Sequence, residues 1–209
     1  MLRRHPVRTV SAFLALALFS ACTTTTGVGA STPGYEEQPS GVFGASERLG
    51  ELQPAEIAVA PVRDQTDAQR VPLEVVRTAF VESLVERRYS PLSTRYVDAN
   101  WVEASFKGTP LPEAVLVISI TEWNPNHLYS TGRVNLAADV TLFEGGDTTG
   151  AVLWQRTFKG GVDMGPAPGK APAPGEDMIP RAVRLLSQQA LSALPMRDPV
   201  SAPRATAAR

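Results

Sequence analysis

Cys22 is the only cysteine in the chain, and its neighbours point to a particular use of the thiol. A thiol can be a nucleophile, a metal ligand or an acyl acceptor, and context separates these roles. Met1 to Arg8 carries Arg3, Arg4 and Arg8 and no acid, and Thr9 to Phe19 is almost entirely apolar. Ser20 and Ala21, both small, directly precede the cysteine. Charged, then apolar, then small is the order of a secretory signal, here residues 1–21. The apolar run is about a dozen residues, short of the roughly 20 that a permanent membrane helix needs. A lone cysteine forms no internal disulfide, so the sulfur is available as an acceptor.

The remaining residues with chemical potential make no catalytic set. His127 is the only histidine outside the signal and lies in Asn124-Pro125-Asn126-His127, near Glu122. A structural or catalytic zinc site wants three or four ligands, and one histidine with one carboxylate falls short. No G-x-S-x-G accompanies it, so a loop histidine is the simpler reading. Gly145-Gly146 and Gly160-Gly161 do not sit between a strand and a helix as a phosphate cradle requires, and read as turn glycines. Asp64, Asp67 and Asp147 read as turn and cap residues. No cofactor and no metal is expected. Trp101 and Trp154 read as core or core-edge residues. Trp123, at a strand end beside Asn124 and Pro125, reads as half-exposed and is the candidate protein-partner contact, with a rim residue over the core as the plainer alternative.

Ala21-Cys22 resembles the lipobox of bacterial lipoproteins, with Phe19 where an aliphatic residue is usual at the third position before the cysteine. The resemblance implies a diacylglyceryl group on the Cys22 sulfur, cleavage before Cys22 and acylation of the new amine. Thr23 follows, where an Asp would imply inner-membrane retention, so the resemblance implies anchoring in outer-membrane lipid. An ordinary secretory signal is the alternative. Charge agrees with an envelope protein that binds no nucleic acid. Of 20 basic residues three lie in the signal, leaving 17 against 21 acidic ones, a net of −4, and no basic stripe emerges.

The elements follow from pattern. Residues 22–53 are rich in Thr, Ser, Gly and Pro and read as a flexible tether. As a coil of about 30 residues, its ends would lie on the order of 30 Å apart. Phe43, Leu49 and Leu52 are its exceptions, and Ser46 to Leu52 is a candidate helical turn. Glu56 to Val62 reads as a strand buried on both faces and ended by Pro61. Pro72 to Arg88 is a helix with Leu73, Val76, Ala79, Phe80 and Leu84 on one face. Tyr89 to Val97 reads as a weaker edge strand, and Asp98 to Phe106 as a short helix capped by Asp98. Ala114 to Trp123 is the strongest strand. Arg133 to Phe143 alternates as a half-exposed strand, turns at Gly145 to Gly150 and returns as Ala151 to Lys159, with Val152, Trp154 and Phe158 on one face. Gly165 to Gly175, with four prolines, is extended and low in complexity, a spacer or a partner-binding peptide. Glu176 to Leu194 is a second long helix, and residues 195–209 read as a disordered tail.

The expected fold is therefore α/β: a single mixed sheet of about five strands, with two long helices and one short helix packed on it, over residues 54–194. This order, with Ile57-Ala58-Val59-Ala60-Pro61-Val62, the Ala114 to Trp123 strand, Thr149-Gly150-Ala151-Val152-Leu153-Trp154 and the lipobox-like start, resembles a group of uncharacterised bacterial outer-membrane lipoproteins. The group includes a neisserial lipoprotein vaccine antigen and is related in fold to the TolB N-terminal domain and to CsgG. Glu113, where relatives often have Asp, and the proline-rich insert are departures. The resemblance implies a non-enzymatic periplasmic module, lipid-anchored through Cys22, serving a protein partner in an envelope secretion or transport complex. An envelope hydrolase built on His127 and a self-assembling structural lipoprotein, that is a homo-oligomer, are the alternatives.

Overall fold

The computed structural model describes residues 42–43, 47–67, 71–163 and 177–198. The signal, Cys22, most of the tether, the segment 165–175 and the tail beyond residue 198 lie outside the described residues. The described elements, in order, are β1 (Val42–Phe43), α1 (Glu47–Leu52), β2 (Glu56–Val59), β3 (Arg63–Asp64), α2 (Leu73–Glu86), β4 (Ser90–Pro91), α3 (Thr94–Asn100), β5 (Trp101–Val102), β6 (Ser105–Phe106), β7 (Ala114–Asn124), α4 (Leu128–Thr131), β8 (Arg133–Glu144), β9 (Val152–Asp163) and α5 (Met178–Leu191).

The mixed α/β fold is the expected one. One sheet runs β1-β9-β8-β7-β2-β4, with β3 also on β7. The five anticipated strands are β2, β4, β7, β8 and β9; the two-residue β1 and β3 are additions. β7 pairs in parallel with β2 and β3 and antiparallel with β8, while β8–β9 and β9–β1 are antiparallel. Val115 to Ile118, unbroken and apolar, take the central place because both faces there are covered. Pro61 interrupts the ladder as its missing N–H requires, so β2 stops at Val59 and pairing resumes at Arg63.

One face of the sheet carries α2 and α5. These run parallel, stitched by Glu82–Arg184 at 2.8 Å, Ser83–Ser187 hydroxyls at 2.8 Å and Gln188–Glu86 at 3.2 Å. Beneath them Phe80, Leu84, Ile118, Leu142, Trp154 and Leu186 form the main core. Each such fully buried large aliphatic or Phe side chain contributes about 1.5–3 kcal/mol relative to exposure. The opposite face holds a smaller cluster of Ala58, Ala60, Val97, Phe106, Val115 and Val117 under α3 and the β5–β6 hairpin.

Arg77, 1 % exposed, joins the two layers. Its Nε and Nη2 donate to the Val59 carbonyl at 3.1 and 2.8 Å, and its Nη1 donates to Asp98 at 2.5 Å. The guanidinium thereby satisfies a carbonyl at the point where Pro61 ends strand pairing.

Three expectations are corrected. Tyr89 to Val97 is not a strand beyond Ser90–Pro91: Ser93 caps α3, its side chain accepting from Tyr96 N, and helix replaces ladder. The short helix therefore lies at Thr94–Asn100, and Asp98 sits inside it as the Arg77 partner instead of capping it. Trp101 follows that helix in β5, half-buried against the smaller cluster. The third concerns the ends. β1 pairs with β9 and α1 buries Leu49, so the fold starts before residue 54. The first tail residues are pinned: Tyr89 Oη donates to the Pro195 carbonyl at 2.8 Å, and Arg197 N donates to the Arg87 carbonyl at 3.1 Å.

Candidate functional site: an open sheet edge and a polar tip

β7, β8 and β9 are long because their alternation is long, and they extend beyond β2 and β3 as a three-stranded ribbon. Ala114, Leu116, Ile118 and Ile120 face the main core. Strict alternation would then turn Glu122 inward and Trp123 outward. The register instead shifts between Ile120 and Glu122, so Glu122 pairs with Ala137 and Trp123 with Leu136. The extra residue, Thr121, reverses the faces. Trp123 is consequently 6 % exposed within the main core, which corrects its expected half-exposure and leaves it no surface for a partner. A second shift between Leu142 and Phe143 sets Val152 opposite Phe143 and away from the core, which corrects its expected place on one face with Trp154 and Phe158; those two point inward.

The other face of the ribbon is polar. Ser119, Asp139 and Thr157 lie abreast on the three strands, and Thr157 Oγ1 donates to Asp139 at 2.6 Å. Lys159 lies 3.9 Å from Glu122 across the sheet. Gly160 and Gly161 lie within β9, not in a turn as expected. A Cβ on Gly160 would meet the Phe158 ring at 3.4 Å, and one on Gly161 would meet the Asn135 carboxamide at 3.2 Å.

β9 is the outermost long strand. β1 covers its edge only at Gln155 and Arg156. Among the described residues no strand pairs with that edge from Thr157 to Asp163. Its outward N–H and C=O groups form a template for an added strand.

At the ribbon's far end, β7 and β8 are joined through Pro125 to His127 and α4, closed by Gly132 in the left-handed region at φ 71°. Leu128, fully buried, seats this connection on the core. A cavity of about 370 Å³ opens here, lined by Asn124, His127, Arg133 and Asn135. Asn124 and Asn135 are directly paired across β7 and β8. Among the described residues that line the cavity there is no serine or acid. Ser130 donates to the His127 carbonyl at 3.4 Å, not to its ring. A larger groove of about 780 Å³ runs between α2 and α5, lined by Glu74, Glu82, Arg181 and Arg184 among others.

The isolated acids do turn chemistry. Asp64 accepts from Thr66 N and Oγ1 at 2.9 and 2.8 Å. Asp147 accepts from Thr149 N, Thr149 Oγ1 and Gly150 N at 2.8, 2.7 and 3.1 Å. These bonds, the Thr149 hydroxyl first, hold the Asp147 carboxyl below its ordinary value of 3.8. Gly145, at φ 78°, is a turn glycine as expected. Glu113 accepts from Ala55 N and Glu56 N and so tethers the start of β2 to that of β7. Among the described residues no group of three or more His, Cys, Asp or Glu is placed to hold a metal. No described helix is long and apolar enough to cross a membrane.

The fold is thus a mixed α/β domain with a polar sheet face and, among the described residues, a β9 edge that no strand covers from Thr157 to Asp163. No protein-family model matches the chain, and no curated protein sequence matches it. Solved structures do resemble it. The PelC dodecamer from Paraburkholderia phytofirmans is 14 % identical over 68 % of this chain and 90 % of that one, with a TM-score of 0.43. Lipoprotein GNA1162 from Neisseria meningitidis is 16 % identical over 65 % of this chain and 97 % of that one, with a TM-score of 0.42. A minor lipoprotein from Acinetobacter baumannii is 13 % identical over 69 % and 97 %, with a TM-score of 0.32. These similarities include bacterial lipoproteins, but at such scores they transfer neither family nor function to this chain.

Proposed function

We propose that the chain is a lipid-anchored envelope module that works by binding another protein, not by catalysis. In this reading Cys22 carries the lipid in the outer membrane, and the domain faces the periplasm as an accessory of a secretion or transport complex. A fold relationship to the TolB N-terminal domain and CsgG belongs to the same proposal. The observation that carries the binding role is the edge of β9 from Thr157 to Asp163, to which no described strand is added. An extended segment of the partner would supply the missing ladder, with the polar face of Asp139, Thr157 and Lys159 beside it.

Two measurements test this. Cells given labelled palmitate should label the wild-type chain and not Cys22→Ser; equal labelling of both sinks the anchor. A photo-crosslinker at Lys159 should capture a distinct envelope protein, whereas one placed at Val85 on the opposite layer should not. Equal capture at both positions removes the edge from the proposal. The same open edge favours a second reading, self-assembly through β9. Crosslinks between copies and an oligomeric mass in detergent would select it. The hydrolase alternative would need an acid or a serine beside the His127 ring, and the described residues lining its cavity with it are Asn124, Arg133 and Asn135.

A further inference from the structure

We draw no further inference here: the strongest candidate, the groove of about 780 Å³ between α2 and α5, has charged walls that already pair with each other through Glu82 and Arg184 at 2.8 Å, and nothing in the structure shows what covers it.

Discussion

At the scale of single residues, Arg77 and Asp98 show how burial sets the sign of an effect. Arg77 is 1 % exposed and Asp98 51 %. Removing the arginine frees a carboxylate that water can take up, but leaves the Val59 carbonyl without its side-chain donor. Arg77→Met should therefore cost about 1–3 kcal/mol, the range for an unsatisfied buried group. Asp98→Asn keeps the buried cation while weakening its charged partner, and the cation still has Val59. It should cost less, roughly 1 kcal/mol. Urea titrations of both variants check the ordering; an equal or reversed order would show that the ion pair, not the carbonyl, is the important contact. Trp123 belongs to the same scale. Its residue type and neighbours fitted a surface aromatic, and its burial follows from Thr121, a residue that carries no special signature. Trp123→Ala should cost about 3–5 kcal/mol, as for a core aromatic.

At the scale of elements, the turn between β8 and β9 is organised by Asp147 and joined to the second layer. Phe106 N donates to the Gly146 carbonyl at 2.7 Å and Thr148 N to the Ala104 carbonyl at 3.0 Å. The Asp147 pKa is lowered in the fold, by the Thr149 hydroxyl first and then by backbone N–H groups. Glu144, beside it, is also lowered, first by its hydrogen bond from Arg48. A lowered carboxyl contributes stability that is present above its unfolded value and is lost as pH falls through its folded one. Stability should thus decline with acid below the ordinary values of 3.8 and 4.5. Asp147→Asn should flatten part of that decline, as read from denaturant midpoints across the acid range. An unchanged slope would remove Asp147 as a contributor. Legibility varied among elements for a related reason. α2, α5, β7, β8 and β9 are long enough for periodicity to be read. β4, α3, β5 and β6 are short, and a serine cap and a proline decided them against a nine-residue apolar pattern.

At the scale of the whole molecule, the two ends of the described chain meet. Leu49 of α1 is buried, and Arg197 Nε donates to the Gln53 carbonyl at 3.3 Å. Arg87 Nη1 donates to the Leu194 carbonyl at 2.5 Å, and Tyr89 holds Pro195. Truncation after Leu194 removes the Pro195 and Arg197 contacts, while truncation after Asp198 keeps them. The first should lower stability by about 1–3 kcal/mol relative to the second, the net worth of the three hydrogen bonds that Pro195 and Arg197 make. Equal melting of the two would mean that the strap only rests on the surface.

Composition, charge and periodicity determine from sequence alone that this is an α/β chain with two long helices, a central apolar strand and an antiparallel hairpin. They also make Cys22 the one residue with a distinct chemical expectation, a reading carried by local order and therefore independent of the fold. Only the tertiary structure decides which residues meet. The bulge at Thr121 turned Trp123 inward, and strand register brought Asn124, Arg133 and Asn135 to one tip beside His127. β1 begins at Val42, opposite Arg156, and among the described residues no strand covers the β9 edge from Thr157 to Asp163. The physical reason is the same in each case. Periodicity assigns residues to faces only while the register holds, and register, edge coverage and cavity lining come from pairing between distant segments, where a one-residue shift exchanges inside for outside.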